Sequence, residues 1–102
     1  MLKRTQEISG TSLQGYTHPT TRAQITAVLG EPVVYEGGDK VTIQWGVRLG
    51  STVATVYDWK RGEAGTPAND EEMAYNIGGN DQNAVLLVDT LIQLGRKLAE
   101  NA

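Results

Sequence analysis

The run Val41-Thr42-Ile43-Gln44-Trp45-Gly46-Val47-Arg48-Leu49-Gly50-Ser51-Thr52-Val53-Ala54-Thr55-Val56-Tyr57-Asp58-Trp59-Lys60 reads as one β-hairpin. Val41, Ile43, Trp45, Val47 and Leu49 alternate with Thr42, Gln44, Gly46 and Arg48, and a period of two puts the first set on one face of a strand. Gly50-Ser51 carries the signature of a two-residue II′ turn, whose first central position needs positive φ. Folding about that turn pairs Leu49 with Thr52, Val47 with Ala54 and Trp45 with Val56. With Ile43 these residues make one apolar face. On the reverse face Tyr57 falls opposite Gln44 and Trp59 opposite Thr42, with Val53 and Thr55 farther along. One face is plain core; the other mixes aromatic rings with hydrogen-bonding groups.

Upstream of the hairpin, Thr21 and Gln24 have the spacing of a capping box. Ile25, Val28 and Leu29 share a helical face, Gly30 suits a C′ position and Pro32 prevents continuation. The spacing predicts a helix over about residues 20–29. His18-Pro19 disfavours helix before position 19. Gly10 to Tyr16 reads as a glycine-bounded loop or short strand. Met1 to Ser9 reads as a strand with Leu2, Arg4, Gln6 and Ile8 on one face.

Downstream, Gly62, Gly65, Pro67 and the run Asn69-Asp70-Glu71-Glu72 mark Arg61 to Glu72 as a loop, and Met73 to Ile77 reads as a short strand. Gly78-Gly79-Asn80-Asp81 then breaks that strand and caps a long helix over about residues 82–100. Its apolar positions are Ala84, Val85, Leu86, Leu87, Val88, Leu91, Ile92, Leu94 and Leu98, more than one core stripe requires. Either the helix is buried deeply within its own domain, or its second face meets another subunit. The limited cover that so small a sheet offers favours the second. The elements give an α+β fold: a small antiparallel β-sheet with a short N-terminal helix and a long C-terminal helix packed on it. A length of 102 residues suits a single domain, residues 1–102.

Composition removes several function classes. The chain has no cysteine, which excludes disulfide scaffolds, thiolate metal sites and cysteine nucleophiles together. Met1 to Gly10 lacks the apolar core of a secretory signal, and no apolar run approaches the ~20 residues of a membrane span. No membrane association and a cytosolic location are expected. Nine basic residues are scattered in a chain of net charge −3. Polymeric nucleic acid is therefore not an expected partner, because duplex binding draws its affinity from a basic stripe. A small anionic ligand needs only one or two well-placed cations.

Candidate chemistry is thin on the enzymatic side. His18, the only histidine, precedes proline in a turn, and nothing fixes a serine beside it. Asp70, Glu71 and Glu72 read as a solvated charge run, and no metal site is expected, since such sites draw on clustered His, Cys or carboxylates. Asp58, flanked by aromatics in a strand, must find hydrogen-bond partners. Binding groups are better represented. Gly10 and Gly15 have the spacing that opens a P-loop, and Thr17 fits its hydroxyl position, but Tyr16 stands where the lysine is required. Thr11, Ser12 and Gln14 still offer amides and hydroxyls. Gly78-Gly79 lets backbone approach closely before a helix N-terminus that favours anions. A plain strand-to-helix turn capped by Asn80 or Asp81 is the alternative. Arg96 and Lys97 suit the helix C-terminus, and Tyr57, Trp59 and Tyr75 are rings able to stack a purine or to fill core.

Gly10-Thr11-Ser12-Leu13-Gln14-Gly15-Tyr16, Leu29-Gly30-Glu31-Pro32, Asp39-Lys40-Val41 with Trp45, Ala54-Thr55-Val56-Tyr57-Asp58-Trp59-Lys60 and Ile77-Gly78-Gly79-Asn80, in that order, resemble the first Thoeris anti-defence family. These are phage-encoded sponges of cyclic ADP-ribose signals. The similarity runs from about Gly10 to Leu98. It departs in the short Arg61 to Asp70 loop and in Tyr75, where tryptophan is expected before Ile-Gly-Gly. The resemblance implies a protein in the cytoplasm of an infected bacterium that binds intact glycocyclic ADP-ribose, linked 1''-3' or 1''-2', without cleaving it. It also implies a homo-oligomer, dimer or hexamer, with pockets near subunit boundaries, and in some members a separate site for cyclic di- or trinucleotides. No cofactor and no catalytic residue are expected. The expected ligand-binding residues are Thr11, Ser12, Leu13, Gln14, Tyr16, Arg22, Tyr57, Gly78, Gly79, Asn80 and Arg96, with Arg96 near the diphosphate. The rival readings are a small nucleotide phosphodiesterase using Asp58 or the acidic loop, and a phage accessory protein that contacts only other proteins.

Overall fold

The computed structural model describes residues 2–5, 10–36 and 40–100. In chain order the elements are β1 (Leu2–Arg4), β2 (Ser12–Tyr16), β3 (Thr20–Thr21), α1 (Arg22–Leu29), β4 (Val33–Val34), β5 (Ile43–Leu49), β6 (Thr52–Tyr57), a 3-10 turn (Gly62–Ala64), β7 (Glu72–Met73), β8 (Asn76–Gly79) and α2 (Asn83–Glu100). The main sheet is antiparallel, in the order β1-β5-β6-β8-β2, with β4 on the same edge of β5 as β1. A short ladder of β3 with β7 lies apart from it. The fold is α+β, as the alternation and the two amphipathic segments imply.

The hairpin forms in the register that its turn dictates. Leu49 pairs with Thr52, Val47 with Ala54, Trp45 with Val56 and Gln44 with Tyr57. Gly50 takes φ of 60°, as the first central position of a II′ turn requires. Helix α1 starts with a full capping box, since the Thr21 hydroxyl accepts from Gln24 N while the Gln24 side chain accepts from Thr21 N. Such a cap is worth about 1 kcal/mol.

The strand expected over Met73 to Ile77 and the break expected at Gly78-Gly79 both need correction. The proposed strand over Met73 to Ile77 is divided: Met73 ends β7, and β8 runs on through Gly78 and Gly79. The glycines extend this strand because the surroundings leave no room for a side chain. A Cβ on Gly78 would stand 2.5 Å from Thr55 Oγ1, and one on Gly79 2.8 Å from the Val53 carbonyl oxygen. The segment Ser12 to Tyr16 is a true edge strand, hydrogen-bonded to β8. In the N-terminal stretch Leu2–Arg4 form β1, whereas the expected positions of Gln6 and Ile8 lie outside the described residues.

Both helices cover one face of the sheet. Ile43, Trp45, Val47, Ala54, Val56 and Ile77 meet Ile25 and Leu29 of α1 and Ala84, Val88 and Ile92 of α2. Tyr75 closes this core edge-on to Trp45, with ring centroids 5.6 Å apart. Fully burying each of these larger side chains contributes about 1.5–3 kcal/mol. Gly95 is where the helices come closest, because a Cβ there would run into the Val28 side chain. The remaining apolar positions of α2 have little cover among the described residues: Leu86, Leu94 and Leu98 are 66%, 51% and 63% exposed. Among the described residues no helix is long and apolar enough to cross a membrane.

Candidate ligand-binding face

The glycines assign the two faces of the sheet. Cβ positions on Gly15 and Gly79 would point at Val85 and Ala84 of α2, so their neighbours along each strand point away from the helices. The strand register then gives two rows on the open face. Leu13, Gly78, Thr55 and Gly46 form one, and Tyr16, Asn76, Tyr57 and Gln44 the other. The Thr5 carbonyl lies directly over Gly46, and Thr5 N donates to the Gly46 carbonyl at 3.0 Å. Beyond the second row Gln44 Nε2 reaches the Tyr35 hydroxyl at 3.5 Å. Trp59 stands edge-on to Tyr57, centroids 6.2 Å apart. The result is a tightly filled row of glycine and threonine bordered by rings and amides, of which Tyr16, Tyr35 and Trp59 are exposed.

Several expected ligand-binding residues converge here despite wide separation in sequence. Leu13, Tyr16, Tyr57 and Gly78 lie on the open face, with Thr11 just before β2. Ser12, Gln14 and Gly79 gather at the edge, where a bulge between Leu13 and Gly15 turns the strand. There the Gln14 amide donates to Ser12 Oγ and to the Gly79 carbonyl, both at 3.2 Å. Asn80 acts locally. Its amide donates to the Ser51 carbonyl at 2.6 Å and accepts from Val53 N at 3.1 Å, tying the hairpin turn to the end of β8. The N-terminus of α2 is held by Asp81, whose carboxylate accepts from Asn83 N at 2.8 Å. That is the capping alternative for the glycine turn.

The two arginines stand elsewhere in the protomer. Arg96 donates to the Pro19 carbonyl at 3.1 Å and lines an open groove between α1 and the last turns of α2, with Ala23, Ala27 and Leu94. Arg22 donates to the Pro67 carbonyl at 3.2 Å. Both belong to the helical layer, across the sheet from Tyr57 and Gly78. Within one protomer they do not join the open face.

The groups that acid–base chemistry would need are placed structurally. The fully buried Asp58 accepts from Thr42 N at 2.7 Å and Ile43 N at 3.1 Å through Oδ1, and from Thr42 Oγ1 at 2.5 Å through Oδ2. It pins the start of β5 to the end of β6. His18 is exposed, 3.9 Å from Asp89. In the acidic loop Glu71 is the ion-pair partner of Arg61 at 2.7 Å, and Arg61 also donates to the Gly65 carbonyl. Among the described residues no group of His, Asp and Glu side chains could hold a metal ion. Tyr75, one of the rings offered for stacking, is core: burial pushes its phenol up to about 12.

Sequence reasoning missed two cations. Lys40 and Lys60 place their ammonium groups 6.0 and 5.7 Å from the Trp59 ring centroid. Lys60 N donates to the Lys40 carbonyl at 2.8 Å, which brings the two chains together at the open end of the hairpin. Carrying the turn register past Trp59 and Thr42 would have put Lys40 on the face of that ring; alternation puts Lys60 on the other face, and its positive φ of 50° departs from that pattern. No protein-family model, curated protein or solved structure matches this chain.

Proposed function

We propose that this chain is a sequestering domain: it binds glycocyclic ADP-ribose intact and lowers its free concentration, as a phage anti-defence sponge in the cytoplasm of an infected bacterium. The observation that carries the reading is the convergence of Leu13, Tyr16, Tyr57 and Gly78 on the sheet face turned away from the helices, bordered by rings and amides. These are segments whose ordered series resembles the Thoeris anti-defence family. Rings can stack an adenine, and amides and hydroxyls can meet riboses. Affinity needs no nucleophile or base. Asp58, the strongest candidate base, has its carboxylate engaged by three donors in the core.

The reading includes a homo-oligomer. Leu86, Leu94 and Leu98 on α2, with Leu49 beside Leu86, expose apolar surface that a second copy would bury. A second protomer is also the way Arg22 or Arg96 would reach a diphosphate on the open face, since neither does so in its own chain. Cyclic di- or trinucleotides at a separate site are a further part of the family resemblance. Native mass spectrometry with the two linkage isomers, and with a cyclic trinucleotide, reads subunit number and bound mass together. An oligomer carrying intact ring is expected; a monomer that takes up neither isomer contradicts the proposal.

A further inference from the structure

We infer that Trp59, with Lys40 and Lys60, is a stacking and charge site for the base and diphosphate of a nucleoside diphosphate. This deepens the sequestration reading and rests on it for the ligand class. Trp59 is 46% exposed, whereas the other tryptophan, Trp45, is 2% exposed in the core. An indole left nearly half exposed among the described residues is a large apolar surface, and its flat face suits a nucleobase. Tyr57 meets it edge-on at an interplanar angle of 74°, which steadies the ring and leaves the pair as two walls of one corner.

The charge beside this ring makes the site specific. In a chain of net charge −3, two ammonium groups stand within about 6 Å of one exposed indole. Cations near an aromatic face interact favourably with its quadrupole, but at exposed sites only weakly. They remain available to a stronger anion. The cations expected for the diphosphate, Arg22 and Arg96, lie in the helical layer; Lys40 and Lys60 are the cations beside Trp59, while Arg48 and Lys3 share the Tyr57 side of the sheet farther along the strands. Backbone geometry points the same way. Lys60 is the only non-glycine residue with positive φ among the described residues, at 50°. A side chain in that conformation carries strain that glycine or asparagine would relieve. Retaining lysine there holds an ammonium near the ring at the expense of local backbone ease.

The test reads Trp59 directly. The 102-residue protein is titrated with ADP, adenosine, ribose 5-phosphate and glycocyclic ADP-ribose, following tryptophan emission; glycocyclic ADP-ribose is titrated in parallel by calorimetry. ADP and the ring should quench the exposed fluorophore, with adenosine and ribose 5-phosphate each weaker, since each lacks one half of the recognised group. Trp59→Ala should weaken uptake of the ring about tenfold or more, and Trp59→Phe should recover part of it. Lys60→Asn separates function from folding: it removes the charge at a position whose backbone suits asparagine, so affinity and its salt dependence should fall while Tm does not. Uptake of the ring with unchanged emission, or equal affinity in Trp59→Ala, overturns this site and leaves sequestration standing. Absence of any uptake of ring or ADP overturns both.

Discussion

Replacing Asp58 separates a structural carboxylate from a catalytic one, and the geometry sets the size of each effect. The side chain is fully buried and accepts from two backbone amides and one hydroxyl. In Asp58→Asn the carbamoyl oxygen can keep both amide bonds, and its NH2 can donate to Thr42 Oγ1 once that hydroxyl rotates. What is lost is charge assistance, about 1–2 kcal/mol. Asp58→Ala instead leaves the amides of Thr42 and Ile43 without their acceptor and opens a void. Unsatisfied buried groups cost about 1–3 kcal/mol each, so a total near ~4 kcal/mol is expected. In a domain of this size that lowers Tm by roughly 15–30 °C. Urea and thermal unfolding followed by circular dichroism measure both variants, and ring uptake is measured at a temperature where each is folded. The expected pattern is a small stability loss for Asn, a large one for Ala, and undiminished uptake by Asn. Equal stabilities of Ala and wild type, or loss of a measurable phosphodiesterase turnover in Asn, would refute the structural assignment.

Other perturbations follow from the same packing. The Tyr75 hydroxyl is buried with no hydrogen-bond partner among the described residues, so Tyr75→Phe should keep or raise stability, by up to about 1 kcal/mol. Because burial raises this phenol from 10.0 to about 12, the folded protein holds a proton that the unfolded chain releases. Stability is therefore unaffected by this titration below about pH 10 and falls between about pH 10 and 12, by about 3 kcal/mol. Tyr75→Phe should flatten that fall in denaturant titrations. Gly95→Ala drives a methyl into Val28 and should cost about 1–3 kcal/mol, with part regained in the double variant Gly95→Ala/Val28→Ala. Leu94→Asp together with Leu98→Asp, on the exposed flank of α2, should give folded monomer by light scattering; an unchanged assembly would rule that flank out as the subunit contact.

The parts of this molecule legible in the sequence are those set by local periodicity. Alternation from Val41 to Leu49 and the Gly50-Ser51 turn fix the hairpin register residue by residue. The Thr21 and Gln24 spacing fixes the start of α1. Strand β8 was hidden because Gly78 and Gly79 look like chain breakers, and only the closeness of Thr55 and Ala84 reveals why a strand needs them. The two-residue strands β3, β4 and β7 are too short to carry a period. At the candidate face, the aromatic side of the hairpin could be read from alternation, and glycine spacing marked the segments beside it. The positions of Arg22 and Arg96 relative to that face depend on which side of the sheet the helices cover, a long-range choice that no local pattern encodes.

Whether a ring held by this face leaves it chemically unchanged is tested most directly by recovery. Purified protein is loaded with glycocyclic ADP-ribose, washed free of unbound ligand, denatured, and the released material is resolved by chromatography and mass. Intact ring in a fixed ratio to protomer is the expected result. Release of opened or hydrolysed product, or no retained ligand at all, would contradict sequestration.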